Sequence, residues 1–242
     1  MEIIRHHFPI LDSTNNCAKR NVHLFGLDEL TMVTAGEQTA GRGRYSNSWV
    51  SPAHENIYVT FCFFLPKTRS DLANISQLLA VSTAKALIEH DIFLKLKWPN
   101  DLLMNEKKVG GILCETKVVR EKICVICGLG LNVNMNEELF SKISQPVTSL
   151  MLEKKHPLDT EKVLKSIERE FRKNVMLFLE SGFSPFLKSL KELLGSINKT
   201  IRFHDDSKLW EGVFHSINDD GSLNLLLPSQ QLKRFYAGQI VA

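Results

Sequence analysis

A strand-like run, Thr31 to Ala35, leads directly into Glu37-Gln38-Thr39-Ala40-Gly41-Arg42-Gly43-Arg44, and this junction constrains what the chain can build. Two glycines alternate with two arginines just where a strand must give way to a loop. Glycine lets the backbone approach a ligand closely and adopt positive φ. Arginine presents a planar fork of donors that matches phosphate or carboxylate. Such a loop can cradle an anion. It can equally be a solvated basic loop, and other segments have to decide between the two.

The chain has 242 residues, enough for one sizeable core and a small appended domain. With 24% charged and 43% hydrophobic residues it has the composition of an ordinary globular protein. A net charge of +3 is too mild to mark a nucleic-acid binder. The longest apolar run, Ile57 to Leu65, is strand-sized and far short of the roughly 20 residues that span a bilayer. The first residues, Met1-Glu2-Ile3-Ile4-Arg5, lack the basic and then apolar blocks of a secretory signal. Five cysteines without framework spacing suit a reducing compartment, so the expected location is the cytoplasm.

Ser13 or Thr14 is placed to cap a helix running to Phe25, with Gly26 as its stop. Ile57 to Leu65 reads as a buried strand, and Asp71 to His90 carries apolar residues at helical spacing. Phe93 to Trp98, Leu102 to Met104, Gly111 to Val119 and Ile123 to Gly128 read as strands, the last three joined by short polar turns. Asp159 to Leu179 and Pro185 to Leu194 are amphipathic helical stretches, the second stopped by Gly195. From Ile197 the pattern turns to short strands and tight turns, among them Asp205-Asp206, with small β-barrel character. The expected division is residues 1–194 for a catalytic domain and 195–242 for a C-terminal one.

Several motifs are missing. The chain has no Walker loop, no G-x-S-x-G elbow and no H-E-x-x-H. Cys124 and Cys127 form a lone pair inside a strand, where positions i and i+3 face opposite ways, so they read as core. Four segments do carry candidate chemistry: Leu11 to Asn16, the glycine–arginine loop with Gln38, Lys97-Trp98-Pro99-Asn100-Asp101, and Lys108-Val109-Gly110-Gly111. Each also has a plain structural role. Ser13 makes a good cap, Asp101 a good turn residue and Lys108 a solvated side chain.

Taken together, these segments resemble the biotin protein ligases, or biotin–[acetyl-CoA-carboxylase] ligases. The matching elements are Leu11-Asp12-Ser13-Thr14-Asn15, Gln38 to Arg44, Trp49, Lys97 to Asp101, Lys108 to Leu113 and Gly128-Leu129-Gly130-Leu131-Asn132. Their order and spacing fit, and nearly the whole chain is covered, with 151–194 matching least. The resemblance implies an α+β fold: a class II aminoacyl-tRNA-synthetase-like mixed sheet with helices, plus a small C-terminal SH3-like β-barrel. It implies activation of biotin with MgATP to biotinyl-5′-AMP, then acylation of a lysine on a biotin carboxyl carrier protein. It also implies a monomer or homodimer that needs neither nucleic acid nor membrane.

By the same resemblance, Ser13, Thr14, Asn15, Gln38, Arg42, Gly43, Arg44, Lys108, Gly111 and Gly128 would bind biotin. Arg42, Arg44, Trp49, Asn100, Lys108 and Asn132 would bind the nucleotide, with Trp49 flanking the adenine. Lys108, Arg42 and Asp101 would be catalytic, and Mg²⁺ would arrive with ATP near Asp101 rather than in a protein cage. Adenylation brings a carboxylate against a phosphate, so cations must hold two anions together. Two departures stand out. Asn47 occupies a position where the family commonly has a basic residue, which implies weaker retention of the intermediate. About ten residues precede Leu11, too few for the DNA-binding helix-turn-helix of some members, so the monofunctional class is expected. The alternatives are a lipoate or octanoyl transferase, and a non-catalytic biotin- or nucleotide-binding module.

Overall fold

The computed structural model describes residues 1–143, 145–205 and 207–241. The chain runs β1 (Glu2–Leu11), α1 (Thr14–Asn21), β2 (Glu29–Gln38), β3 (Ile57–Pro66), α2 (Ile75–Leu87), β4 (Lys95–Lys97), β5 (Asp101–Met104), β6 (Lys107–Val119) and β7 (Lys122–Leu131). It continues with α3 (Leu150–Lys154), α4 (Thr160–Ser181), α5 (Leu187–Leu193), β8 (Thr200–His204), β9 (Leu209–Ile217), β10 (Leu223–Leu226), β11 (Leu232–Phe235) and β12 (Gln239–Val241). The first seven strands form one mixed sheet in the order β1-β2-β3-β7-β6-β5-β4. Only β1 and β2 pair in parallel.

The apolar run of β3 shows why this sheet is covered on both faces. Val59, Phe61, Phe63 and Leu65 point into the main core, which also takes in Phe171 and Phe178 of α4 and Leu78 and Leu79 of α2. The alternate residues Cys62 and Phe64 join a smaller cluster with Cys17, Ala18 and Val22, the buried stripe of α1 and the turn after it. Thr60, also on that second face, is fully buried and is the one polar residue within an otherwise apolar run.

Strand β1 was not foreseen. Glu2–Leu11 is an exposed edge strand whose sequence lacks clean alternation, and its Pro9 is tolerated because the outer edge needs no ladder donor. The expected strand over Phe93 to Trp98 shrinks to Lys95–Lys97, since Phe93 lies exposed before pairing starts. The first helix ends at Asn21, and a short 3₁₀ turn continues it through Leu24.

The C-terminal strands make a five-stranded antiparallel sheet in the order β11-β10-β9-β8-β12, and β12 was also unforeseen. No ladder joins β11 to β12 among the described residues, so the small barrel implied by resemblance is here an open sheet. The reason is local: β12 has three residues, and its one recorded ladder is with β8. Of the expected Asp205-Asp206 turn, Asp206 lies outside the described residues. Phe203, Phe214 and Phe235 join the same buried cluster as the large sheet. Trp98 ties the two sheets together: its indole N–H donates to Gly221 O at 3.0 Å, and its ring lies 5.7 Å from that of Phe203.

Candidate active site

Helix α1 packs on the β2–β3–β7 part of its sheet face and reaches β6 through hydrogen bonds at Leu113, Glu115 and Lys117, while the floor at β4, β5 and the start of β6 faces a cavity. Cross-strand partners share a face, so this open floor can be read from the register. Lys97, Asp101, Gly111 and Gly130 form one row across β4, β5, β6 and β7, and Leu113, Gly128 and Thr60 form the next. A cavity of about 390 Å³ lies over this floor. Its walls bring together Ser13, Thr14, Asn15, Gln38, Arg42, Gly43, Arg44, Trp49, Asn100, Asp101, Lys108, Gly111 and Gly128, segments far apart in sequence.

One end of the cavity is neutral. Ser13 caps α1 by accepting from Asn16 N, and this holds Thr14 and Asn15 in the first turn. Gln38 Oε1 accepts from Thr14 N at 2.9 Å and from its hydroxyl at 3.2 Å. Gln38 Nε2 donates to the Ser51 hydroxyl at 2.9 Å, and Ser51 donates to Trp49 O at 3.0 Å. Behind this line the Thr60 hydroxyl lies 2.8 Å from that of Thr14 and 2.6 Å from Asn15 Oδ1. The Asn15 carboxamide also donates to Leu113 O at 3.1 Å. Gly128 must be glycine, because a Cβ there would overlap that carboxamide.

The other end is cationic. Arg42 donates to Asn16 Oδ1 at 2.7 Å and to both oxygens of Glu115 at 3.3 and 3.4 Å. Arg44 reaches Asn100 Oδ1 at 3.1 Å and Gly238 O, at the C-terminal sheet, at 3.2 Å. Lys108 Nζ pairs with Asp101 Oδ1 at 2.7 Å. Asp101 is the one carboxylate among the residues lining the cavity, against Arg42, Arg44, Lys97 and Lys108. Glu115 lies just outside the cavity wall. Burial pushes its carboxyl up, but hydrogen bonds from Asn15 and Lys19 and the charge of Arg42 outweigh this and leave it below the usual glutamate range.

The glycine–arginine segment is a folded hairpin. Gly43 N donates to Asn47 O at 2.7 Å, Trp49 N donates to Gly41 O at 2.9 Å, and Tyr45 sits at the tip with φ of 53°. Asn47, in place of a basic residue, lines the wall as a neutral group. The Trp49 indole lies across Gly130, where a Cβ would overlap it, and close against Gly111, where a Cβ would be tightly packed. Its ring centroid is 5.5 Å from Lys108 Nζ, and its buried Nε1 has no hydrogen-bond partner among the described residues.

Asn132 is the exception among the expected site residues, because it does not line the cavity. It is buried where the chain leaves β7, its carboxamide donating to Thr148 O at 3.0 Å and its N–H to Val109 O at 2.8 Å. Sequence reading also missed wall residues. Ile143 and Gln145 precede α3, while Gln239 and Ile240 lie on β12, and no local motif marks any of them. Lys97 stood inside a recognised motif without a role. Thr60 did leave a signal, as a threonine in a run buried on both faces.

The Bifunctional ligase/repressor BirA of Escherichia coli (strain K12) is 28% identical over 240 residues, covering 96% of this chain and 72% of that protein. The Biotin--[acetyl-CoA-carboxylase] ligase of Paracoccus denitrificans is 29% identical over 224 residues, covering 90% of this chain and 92% of the relative. The solved structure of the biotin protein ligase from Aquifex aeolicus in complex with biotin and ATP superposes with a TM-score of 0.81 at 27% identity, covering 98% of this chain and 97% of the other. Matched over residues 7–132 by the model of that name, the chain belongs to the biotin/lipoate A/B protein ligase family.

Proposed function

We infer that the chain is a biotin protein ligase. It activates biotin with ATP to biotinyl-5′-AMP and transfers the biotinyl group to a protein lysine. The observation that carries this reading is a single cavity with a neutral hydrogen-bonding end and a cationic end, on the fold of an enzyme solved with biotin and ATP. Biotin needs an apolar trough with a few placed polar groups. Ser13, Thr14 and Gln38 suit the donors and acceptor of its ureido edge, over a floor of Leu113, Gly128 and Gly130.

In the first step a biotin carboxylate oxygen attacks the α-phosphorus of ATP, the bond to the β-phosphate oxygen breaks, and pyrophosphate departs. Arg42, Arg44 and Lys108 hold the two approaching anions and offset the charge that develops between them. In the second step the carrier amine nitrogen attacks the acyl carbon of the mixed anhydride and AMP leaves. Trp49 offers an indole face for the adenine, and Asn100 lies beside Arg44 to orient it. Mg²⁺ suits this donor set as an ion carried in on the phosphates, because Asp101 alone on the wall could add a carboxylate. The neutral Asn47 leaves one cation fewer near the phosphate than is common in the family, so the intermediate is held less tightly.

The finer assignments belong to the same proposal. The acceptor is the biotin carboxyl carrier protein of acetyl-CoA carboxylase, by analogy with the Paracoccus relative. Residues 1–194 form the catalytic unit and 195–242 a C-terminal unit that contributes Gln239 and Ile240 to the cavity wall. All five cysteines are free, which suits the cytoplasm. No helix among the described residues is long and apolar enough to cross a membrane. The test offers the purified protein radiolabelled biotin or lipoate with MgATP and an apo-carrier fragment. Biotinyl-AMP and a labelled carrier are the expected products. Exclusive formation of lipoyl-AMP would overturn the reading.

A further inference from the structure

We propose that Lys97 is the cation that receives the β- and γ-phosphates of ATP and holds the departing pyrophosphate. This rests on the ligase reading above and assigns a residue to the leaving-group side of the reaction. Four cations line the cavity, and three are already engaged. Arg42 is held by Glu115 and Asn16, Arg44 by Asn100 and Gly238 O, and Lys108 by Asp101. Lys97 alone of the four has no hydrogen bond, ion pair or ring contact among the described residues, although it is half-buried. Lys95, two residues earlier on the same strand, is exposed and still finds Glu192 O at 3.3 Å.

Register fixes where this free charge sits. Lys97 pairs directly with Asp101, and Asp101 with Gly111, so all three share the cavity face. Asp101 is the β5 member of this row, and its Oδ1 is taken by Lys108 at 2.7 Å. Lys97 is thus the β4 end of the row, two strands from Gly111 and three from Gly130. A half-buried ammonium without a partner is unfavourable until an anion arrives. The reaction supplies such an anion, because breaking the α–β bond leaves negative charge on the pyrophosphate. An ammonium on a flexible stem can follow that group outward as it leaves.

The test separates the two half-reactions. Magnesium pyrophosphate is titrated into wild type, Lys97→Met and Lys97→Arg, and the ATP dependence of adenylate formation is measured for each. Lys97→Met should weaken pyrophosphate binding and raise the KM for ATP by about 10- to 100-fold, the range for losing one charge-assisted contact. Lys97→Arg should keep most of both. Biotin affinity, and transfer from purified biotinyl-5′-AMP to the apo-carrier, should stay within about twofold of wild type, which also shows that the variant is folded. Unchanged pyrophosphate affinity and ATP KM in Lys97→Met would overturn the proposal. So would an equal fall in the transfer half-reaction, which would mark a packing role. A wild type that binds pyrophosphate through Lys97 but forms no biotinyl-AMP would support the phosphate role while sinking the ligase reading.

Discussion

The two ends of the cavity solve opposite problems. At the Thr14–Gln38 end, neutral groups are locked to one another through short bonds anchored on the buried hydroxyl of Thr60. At the Arg42–Lys108 end, the charges are held by counter-groups, Glu115 and Asp101, that a ligand anion must displace. Thr60 is fully buried, while the Arg42 side chain is 41% exposed. A neutral end built into the core is preorganised for a neutral ring. A charged end held by exchangeable ion pairs suits groups whose charge changes during the reaction. Binding specificity and chemistry should therefore fail separately when either end is damaged.

The sharpest way to break this comparison is Lys108→Ala. Loss of one electrostatic contact to the reacting phosphate should slow adenylate formation by at least about 10²-fold, with little effect on fold stability. A burst of pyrophosphate release equal to that of wild type would remove Lys108 from the chemistry. The matching change at the neutral end is Thr60→Val, nearly the same shape without the hydroxyl. It deprives Thr14 and Asn15 of a buried partner, so stability should drop by roughly 1–3 kcal/mol in urea unfolding and biotin affinity should fall with it. Thr60→Ser should restore both. If Thr60→Val weakened biotin binding with no cost in stability, the claim that this end is part of the core would be wrong.

These two residues also mark how far the sequence could be read. Lys108, which alone reads as a solvated side chain, was brought to the cavity wall by the family resemblance of its segment, and the structure places it there. The main strands were legible, because β3, β6 and β7 carry long apolar or alternating runs that announce strands without help from elsewhere. Thr60 stood out as a threonine in a buried run, but its role was overlooked because it depends on helix α1 across that face, which the strand's own pattern does not encode. Strand β1 and strand β12 were missed for a related reason. Each is held mainly by a ladder to one neighbour rather than by its own hydrophobic pattern. Asn132 shows the limit from the other side: it follows a Gly-Leu-Gly-Leu run that does reach the cavity, and there the chain turns and carries the side chain to Thr148.

A milder effect is expected from Arg42→Ala or Arg44→Ala. On the proposed assignment each removes one hold on the adenylate's phosphate, so biotinyl-AMP should escape into solution roughly tenfold faster, the scale of one charge-assisted bond in a partly wet site. Biotin affinity should change less, because the ureido contacts are untouched. Calorimetry showing biotin affinity collapsed, with the intermediate still retained, would move these arginines to the other half of the comparison.

The smallest effect concerns what holds the hairpin down before ligand arrives. Glu115 accepts from Lys19 and Arg42, and its carboxyl lies below the usual glutamate value of 4.5. A folded-state value below the unfolded one means the carboxylate's contribution is complete above the unfolded pKa and is lost as pH falls through the folded one. Near neutral pH the pairing is therefore intact, and it weakens only in acid. Because Arg42 is substantially exposed, screening limits this pair to about 1 kcal/mol or less. Cleavage of the hairpin at Arg42 or Arg44 by trypsin, compared after brief incubation at each pH, should rise below the usual glutamate range in wild type. Glu115→Gln should show raised and nearly pH-independent cleavage, since the amide keeps a hydrogen-bonding oxygen but has no charge to lose. Identical pH profiles for the two proteins would mean that Glu115 does not restrain the hairpin. The charged end would then be as fixed as the neutral one, and the contrast between them would rest on chemistry alone.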